Sequence, residues 1–229
     1  MRMTTEHPIP PEELQIHINI GDFRAIGQRF VDEFAKAGLR PEHRMLEIGC
    51  GCGRMALPLV DFLGADGSYE GFDVMPSVVA WCEENVADLR FRFQVVNLYN
   101  GWYRPDGAGD ASSFVFPYPD GEFDFVEAVS IYTHCFPSTH RRYLEETRRV
   151  LQSGGKFCAT YFFWTPPDPG WTRLEDCYAT PDGKPEASIL YRPEQVRQAY
   201  DVAGLDVCSD VWENPLPFPA QNVVTGSRP

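Results

Sequence analysis

The sequence lacks any long hydrophobic run, and this absence limits where the chain can work. No stretch of its 229 residues approaches the roughly 20 consecutive apolar residues that a membrane-spanning helix needs. Its first residues, MRMTTEHPIPPEEL, also lack the apolar stretch of a secretory signal peptide. We therefore expect a soluble, cytoplasmic protein that has no membrane partner.

Basic residues are in the minority. The 20 Lys and Arg residues are outnumbered by 33 Asp and Glu residues, which gives a formal net charge of −13. Phosphate contacts dominate the affinity of nucleic-acid-binding proteins, and these contacts require a basic surface. DNA and RNA are therefore not expected as partners.

The cysteines do not form a pattern of pairs. There are seven of them, an odd number, and most lie within apolar stretches, where cysteine behaves as a small hydrophobic residue. Cys50 and Cys52 are separated by one residue, whereas paired zinc ligands are usually separated by two to four residues and need a second pair nearby. We expect reduced thiols and no metal site.

The residues that are present alternate between strand and helix patterns, and the length of the chain is typical of a single domain, residues 1–229. Apolar residues at helical spacing predict a leading helix over residues 23–38. Further strands are predicted at 44–48, 69–74, 91–96, 123–130, 156–163, 205–212 and 222–225. Further helices are predicted at 55–63, 76–86, 138–151 and 193–203, and Ser153-Gly154-Gly155 is expected to end the third of these at a glycine cap.

This alternation predicts an α/β fold. We expect a Rossmann-like, doubly wound sheet that is mostly parallel, with an antiparallel strand near the C-terminus and helices on both faces. Three segments lie outside the alternation: a Pro-rich N-terminal arm at 1–21, and two Pro-rich or Gly-rich segments at 100–121 and 164–191. The latter two are expected to be inserted, lid-like segments that cover a site.

The first strand-to-helix turn, Glu47-Ile48-Gly49-Cys50-Gly51-Cys52-Gly53, is the expected ligand cradle. In doubly wound sheets, ligands bind at the carboxyl ends of the strands near this turn. Glycines at 49, 51 and 53 allow a ligand to approach the backbone and allow left-handed conformations. A dinucleotide-binding turn would have the spacing G-x-G-x-x-G, but the third glycine comes one residue early and Arg54 follows it. Close packing of helix on strand is the alternative explanation for these glycines.

From residue 44 to about residue 164, the sequence resembles the class I S-adenosylmethionine-dependent methyltransferases. The family's first motif is an acidic residue, one intervening residue and then G-x-G-x-G, as in EIGCGCG from Glu47 to Gly53. Other similar segments are YEGFDVMP after the second strand, VVNLYN after the third, DGEFDFVEAVS in the fourth, and RVLQSGGKFCATYFF before and in the fifth. This resemblance implies S-adenosylmethionine as the cofactor and S-adenosylhomocysteine as the product.

The resemblance also implies roles for individual residues. The glycines would lie beside the methionyl and ribose groups, Glu47 would help to hold the amino group, and Asp73 would accept hydrogen bonds from the ribose hydroxyls. Asp73 could instead cap the helix after Pro76, and Asn97 fits an adenine contact or a plain turn residue equally well. The complete predicted set of cofactor contacts is Glu47, Gly49, Cys50, Gly51, Gly53, Asp73, Val74, Met75, Asn97, Leu98 and Ser130.

His134 is the candidate catalytic residue. It follows the fourth strand at the edge where a methyl group would arrive, and a histidine has a pKa suited to a general base. It could equally pack under the following helix. Tyr132, His134 and Trp164 are the candidate acceptor contacts, since aromatic faces suit a sulfonium, whereas Tyr161 is interpreted as a core residue.

The sequence therefore predicts an enzyme that methylates a small molecule, with a hydroxyl of a secondary metabolite or sugar as the favoured acceptor and a homodimer as one possible assembly. Nitrogen and carbon acceptors stay open. A nucleotide-dependent oxidoreductase on the same sheet is the alternative from another class, although the glycine spacing disfavours it. A non-catalytic binding module is a third alternative, because a fold alone does not establish turnover.

Overall fold

The computed structural model describes residues 7–15, 21–164, 172–174, 177–179, 185–212 and 221–229. The expected N-terminal arm and the expected segment 164–191 therefore fall partly outside the described residues. None of the helices in these ranges is long and apolar enough to cross a membrane.

One mixed sheet organises the described chain. Its strands are β1 (Arg44–Ile48), β2 (Ser68–Asp73), β3 (Phe91–Val95), β4 (Phe123–Ala128), β5 (Leu151–Phe163), β6 (Thr172–Arg173), β7 (Tyr178–Ala179), β8 (Ile189–Tyr191), β9 (Asp206–Trp212) and β10 (Asn222–Ser227). Strands β3, β2, β1, β4 and β5 lie side by side in that order and run parallel. Strand β10 runs antiparallel to β5, as the sequence predicted for a strand near the C-terminus.

Helices cover both faces of this sheet. They are α1 (Glu12–Gln15), α2 (Phe23–Ala37), α3 (Ala56–Phe62), α4 (Pro76–Asn85), α5 (Pro137–Val150) and α6 (Pro193–Ala203). Alternate residues of β1 point to opposite faces, as strand geometry requires. Met45 packs with α2, α3 and α4 in one core cluster, whereas Leu46 packs with α5 and α6 in the other. The Rossmann-like, doubly wound fold predicted from the sequence is confirmed.

Helix α2 shows how local sequence sets the ends of an element. The Asp22 carboxylate accepts a hydrogen bond from the backbone N–H of Ala25 at 2.8 Å, which satisfies one of the free donors at the start of the helix. Gly38 ends the helix in a left-handed conformation with φ of 111°. These signals explain why the predicted and observed bounds agree closely.

The predicted glycine cap of α5 is wrong, although the predicted end of the helix differs from the observed end by one residue. The helix ends at Val150, and β5 begins directly at Leu151, which pairs with Phe123 of β4. The Ser153-Gly154-Gly155 turn therefore lies within the strand, where the register with β4 shifts. Gly154 has a φ of 79°, and its N–H donates to the carbonyl of Arg228 at 2.8 Å. Pairing of Leu151 with β4 ends the helix before the glycines are reached. The glycines therefore do not cap the helix and instead allow an irregular bend within the strand.

Candidate functional site

A cavity of about 820 Å³ opens at the carboxyl ends of β1, β2 and β4. Strand β1 has β2 on one side and β4 on the other. Strands β2 and β3 extend the sheet in one direction from β1, and β4 and β5 extend it in the other, so the strand order reverses at β1. Such a reversal leaves a crevice in which ligands of doubly wound sheets bind. The volume is within the roughly 300–1,000 Å³ typical of small-molecule sites.

The three glycines after β1 all adopt left-handed conformations, with φ of 76° at Gly49, 51° at Gly51 and 78° at Gly53. A Cβ atom at Gly49 would overlap Ile131 Cδ1, and one at Gly53 would lie 3.2 Å from Cys82 Sγ, so these two glycines allow close packing. A Cβ atom at Gly51 would meet no atom within 4 Å. Because Gly51 also lines the cavity, that open space is available to a ligand.

Asp73 joins the turn after β1 to the turn after β2. Its carboxylate accepts hydrogen bonds from the backbone N–H of Gly51 at 2.9 Å and of Met75 at 2.8 Å. Burial raises the pKa of Asp73, while the backbone hydrogen bonds oppose that rise. Asp73 is not the N-cap residue of α4, which is Met75. Asp73 lines the cavity, and its remaining lone pairs can accept from a ligand hydroxyl.

Glu47 lies beneath the cavity rather than in its lining. It faces Glu127, its register partner on β4, and both side chains are fully buried. Glu47 accepts a hydrogen bond from the Tyr69 hydroxyl at 2.5 Å, and Glu127 accepts one from the Val129 backbone at 2.7 Å. The two carboxyl groups also contact each other, which requires one of them to hold a proton.

Burial favours the protonated form of both carboxyl groups in this cluster. Burial raises the pKa of Glu47 to about 8 and that of Glu127 well above its ordinary value. Arg54, which is 6% exposed, lies close enough to both carboxyl groups to lower the two pKa values, though less than burial raises them.

The segment after β3 forms a closed loop, residues 97–109, which we call the 97–109 loop. The N–H of Gly109 donates to the carbonyl of Asn97, and the N–H of Tyr99 donates to the carbonyl of Gly109, both at 2.8 Å. Arg104 anchors the loop by donating to the carbonyls of Val74 at 2.6 Å and Val96 at 3.2 Å.

Asn97 does not line the cavity, because its side-chain oxygen accepts from the Ala108 N–H at 3.3 Å. This contact favours the interpretation of Asn97 as a turn residue. Asp110, which follows the closed loop, lines the cavity instead, together with Leu98. Its carboxylate accepts from the backbone N–H and the hydroxyl of Ser112 at 2.8 Å.

His134 lines the cavity at the end of a short 3-10 helix, Tyr132–His134, and both of its ring nitrogens have partners. Nδ1 lies 2.8 Å from the carbonyl oxygen of Glu186, and Nε2 lies 3.1 Å from the hydroxyl of Tyr103. Tyr103 belongs to the 97–109 loop, and Glu186 belongs to the predicted segment 164–191. His134 is therefore the point at which residues from the two predicted inserted segments meet.

Ser130 also lines the cavity, in a conformation unusual for its type. Its φ of 60° is the one positive value among the described residues other than glycine. The Ser130 N–H donates to the Thr160 hydroxyl at 2.7 Å, and its own hydroxyl lies 3.1 Å from the side-chain amide of Gln221. Strained residues of this kind concentrate at functional sites, where the surrounding contacts hold them in place.

Two predicted acceptor contacts do not line the cavity. Tyr132 is fully buried, and its ring stacks on Tyr161 with centroids 5.2 Å apart, so it is a core residue, as is Tyr161. The sequence placed Tyr132 at the correct strand end, but its ring points into the packed side of β5. Trp164 lies beside Arg192, whose guanidinium carbon is 5.3 Å from the centroid of the ring.

The cavity thus brings together most, but not all, of the predicted site. The predicted residues in its lining are Gly49, Cys50, Gly51, Asp73, Val74, Met75, Leu98, Ser130 and His134, whereas Glu47, Gly53, Asn97, Tyr132 and Trp164 are outside it. Sequence reasoning missed Arg54, Tyr103, Asp110 and Gln221, which are in the lining. Asp110 had a detectable signal, since Asp-Ala-Ser-Ser is a typical turn or cap sequence. The other three have no periodic or spacing signal.

Comparison with known proteins gives consistent matches. Residues 46–159 match a family model described as a methyltransferase domain. A sterol 24-C-methyltransferase of Gibberella zeae is 30% identical over 126 residues, which make up 52% of this chain and 28% of that protein. The chain spans less than half the length of the curated relatives that it matches.

Solved structures share the fold at low sequence identity. A SAM-dependent methyltransferase from Aquifex aeolicus has a TM-score of 0.60 at 18% identity, over 96% of this chain and 98% of its own. A 1,6-didemethyltoxoflavin-N1-methyltransferase of Burkholderia thailandensis, solved with 1,6-didemethyltoxoflavin and S-adenosylhomocysteine, has a TM-score of 0.59 at 15% identity, over 95% of this chain and 82% of its own.

Proposed function

Because this chain belongs to the class I S-adenosylmethionine-dependent methyltransferases, we propose that it transfers a methyl group to a hydroxyl of a small molecule. S-adenosylmethionine is the cofactor, and when bound it supplies an electrophilic methyl group on a sulfonium. The observation that carries the proposal is the cavity itself, which has backbone and carboxylate groups suited to the cofactor on one side and a histidine–tyrosine pair on the other.

The residues of the β1 and β2 turns fit the cofactor. The open space beside Gly51 accommodates a ligand directly against the backbone, and a side chain at this position would fill it. Asp73 keeps acceptor capacity for a vicinal diol such as the ribose, because two backbone donors occupy only part of its four lone pairs. Leu98 pairs with Gly109, the residue before Asp110, and both Leu98 and Asp110 line the cavity, so we assign to them the adenine ring and its amino group.

For Glu47 we propose a structural role in supporting the glycine turn. A carboxyl group that shares its proton with Glu127 and accepts from Tyr69 supports the turn from below. Any contact of Glu47 with the amino group of the cofactor would have to pass through water, since Glu47 does not line the cavity.

The other side of the cavity suits a compact acceptor with a polar group. His134, Tyr103, Ser130 and Gln221 supply hydrogen-bonding groups there, and aromatic side chains such as Trp102 and Phe136 supply apolar walls. A site with a few convergent polar groups in an apolar lining is typical of small-molecule recognition. A hydroxyl acceptor must lose a proton during methyl transfer, and His134 is the proposed base that takes up a proton, either directly or through a neighbouring hydroxyl.

Binding and turnover test the proposal separately. Calorimetry with S-adenosylmethionine, S-adenosylhomocysteine and NADH should show binding of the first two only. Asp73→Asn should weaken that binding about 10-fold or more, because a hydrogen bond to a charged group contributes about 1.5–3 kcal/mol. Asp66→Asn, an exposed position that loses the same charge, is the matched control and should bind normally.

Product mass then identifies the acceptor class. We expect a gain of one methyl group on phenols, secondary alcohols or sugars in a panel that also contains amines and activated carbon acids. Methylation of amines or carbon acids alone would refute the hydroxyl assignment, and binding of NADH alone would refute the proposed function.

A further inference from the structure

The 97–109 loop places one tyrosine hydroxyl beside the candidate base. Asn100 holds the tip of this loop: its side-chain oxygen accepts from the backbone N–H groups of Trp102 at 3.0 Å and Tyr103 at 2.9 Å. Asn100 also pairs with Arg104 through backbone hydrogen bonds in both directions, at 3.1 and 2.9 Å. The backbone on both sides of Tyr103 is therefore held by hydrogen bonds.

The hydrogen bonds of His134 determine where its proton lies. The carbonyl oxygen of Glu186 can only accept, so Nδ1, 2.8 Å away, must carry a hydrogen. In the neutral ring, Nε2 then has the lone pair, and the Tyr103 hydroxyl at 3.1 Å donates to it. The two rings meet edge to face, with centroids 5.0 Å apart. The basic nitrogen of His134 thus points at Tyr103 rather than at open cavity.

We propose that Tyr103 is the catalytic residue that contacts the acceptor hydroxyl, and that His134 is a positioning residue that acts through it. This inference rests on the proposed function. The Tyr103 oxygen donates its hydrogen to His134 and keeps lone pairs that can accept from an acceptor O–H in the cavity.

Protons and electrons balance in the step that follows. As the acceptor oxygen bonds to the methyl carbon, the sulfur–methyl bond breaks and its electron pair stays on sulfur. The acceptor proton moves to the Tyr103 oxygen, and the Tyr103 proton moves to Nε2, which leaves His134 as an imidazolium held by the Glu186 carbonyl.

The surroundings of Tyr103 explain why it needs His134. Burial raises the pKa of the Tyr103 hydroxyl, with a further rise from Asp73, and Arg54 offsets only part of this. A phenol of this kind does not ionise alone near neutral pH, so it can accept a proton only while it gives one up. A purely structural alternative is that Tyr103 merely ties the loop to His134.

Tyr103→Phe separates these two possibilities, because it removes the hydroxyl and keeps the ring. Tyr118→Phe is the matched control: its buried hydroxyl has no hydrogen-bond partner in the described part of the chain and does not line the cavity. Both variants should bind S-adenosylhomocysteine with wild-type affinity, which verifies that they fold.

The first measurement needs no acceptor. Nitrogen NMR of the full-length protein labelled with ¹⁵N-histidine, with the His134 signals assigned from His134→Gln, reads the tautomer directly. We expect neutral His134 to carry hydrogen on Nδ1, and we expect the Nε2 resonance to move in Tyr103→Phe but not in Tyr118→Phe. Hydrogen on Nε2 instead of Nδ1 would overturn the inference.

The second measurement uses the best hydroxyl acceptor from the panel above. Tyr103→Phe should lower kcat about 10²- to 10⁴-fold, the usual contribution of general acid–base catalysis, with the KM for S-adenosylmethionine unchanged. A Tyr103→Phe enzyme with wild-type kcat would overturn this inference alone. A wild-type enzyme that binds the cofactor but methylates no hydroxyl would overturn the proposed function, and this inference with it.

Discussion

Substituting Gly49 and Gly51 with alanine should give two different defects, although the two residues lie in the same turn. Both have left-handed backbones, with φ of 76° and 51°, and a non-glycine residue in this region costs about 1–2 kcal/mol. At Gly51 this is the whole expected effect on folding, because the new Cβ atom meets nothing within 4 Å. Gly51→Ala should therefore lower the free energy of unfolding by about 1–2 kcal/mol.

Gly49→Ala should be more severe. Its Cβ atom would lie 3.0 Å from Ile131 Cγ1 and would overlap Ile131 Cδ1, so the side chain or the strand end must move. Overpacking of this kind typically costs another 1–3 kcal/mol. The sum predicts a loss of about 2–5 kcal/mol for Gly49→Ala.

Urea unfolding with and without S-adenosylhomocysteine measures both effects. A ligand at 100 times its Kd stabilises a native protein by about 2.7 kcal/mol. The wild type and Gly49→Ala should both gain about that amount at 100 times the wild-type Kd, because the Cβ atom of Gly49→Ala meets Ile131 rather than the open space beside Gly51. Gly51→Ala should gain much less at the wild-type ligand concentration, because its methyl group fills the proposed cofactor space.

A double-mutant cycle isolates the contact with Ile131. In Ile131→Ala the Cγ1 and Cδ1 atoms are absent, so Gly49→Ala should cost only the backbone contribution of about 1–2 kcal/mol in that background. Equal losses for Gly49→Ala with and without Ile131 would refute the packing explanation. An unchanged ligand gain in Gly51→Ala would refute the placement of the cofactor.

Three further predictions follow from buried polar groups. Burial raises the pKa of Glu47 from 4.5 to about 8 and also raises the pKa of Glu127, so the free energy of unfolding should fall as pH rises through this window. Glu127→Gln removes one of these two titrating groups and should make the fall shallower in denaturant titrations, and an unchanged slope would contradict the raised pKa of Glu127. Burial lowers the pKa of His140 from 6.5 to about 3, so the neutral ring adds stability that is lost as pH falls below 6.5. The free energy of unfolding of His140→Gln should therefore depend less on pH in this acidic range than that of the wild type, and equal dependence would count against a buried neutral ring. Arg104→Ala removes the donors to the Val74 and Val96 carbonyls, so amide hydrogen exchange in the 97–109 loop should accelerate while exchange in β1 and β4 stays slow. Equal acceleration in the loop and in these strands would show that the loop does not open independently of the sheet.

Local signals account for the elements that the sequence predicted well. Strand β1 was predicted with its observed bounds, because a short apolar run between a helix end and a glycine turn has few alternatives. Helix α6 was also predicted with its observed bounds, since Pro193 fits the first turn and Gly204 has a left-handed conformation after the last. The glycine turn and Asp73 could be placed at the cavity because the carboxyl ends of parallel strands share one edge.

The errors occur where distant contacts decide the structure. Gly154 has the sequence of a helix cap, but pairing of Leu151 with β4 ends the helix earlier. Asn97 occupies the expected position after β3, but the chain closes a loop there and returns to place Asp110 in the cavity. The contact of Glu47 with Glu127 depends on β1 and β4 being neighbours, which no local pattern around either residue contains.

The closed form of the 97–109 loop makes it an interchangeable module. Its first and last residues are hydrogen-bonded to each other, so its length and composition can change without altering the path of β3 or the position of Asp110. Tyr103 is carried by this module, whereas Gly51 and Asp73 are fixed by the sheet. Exchange of the tip of the loop around Tyr103, with Leu98 and Arg104 kept, would therefore change the proposed acceptor side and leave the donor side as it is, which offers a direct route to engineering the acceptor specificity of this chain.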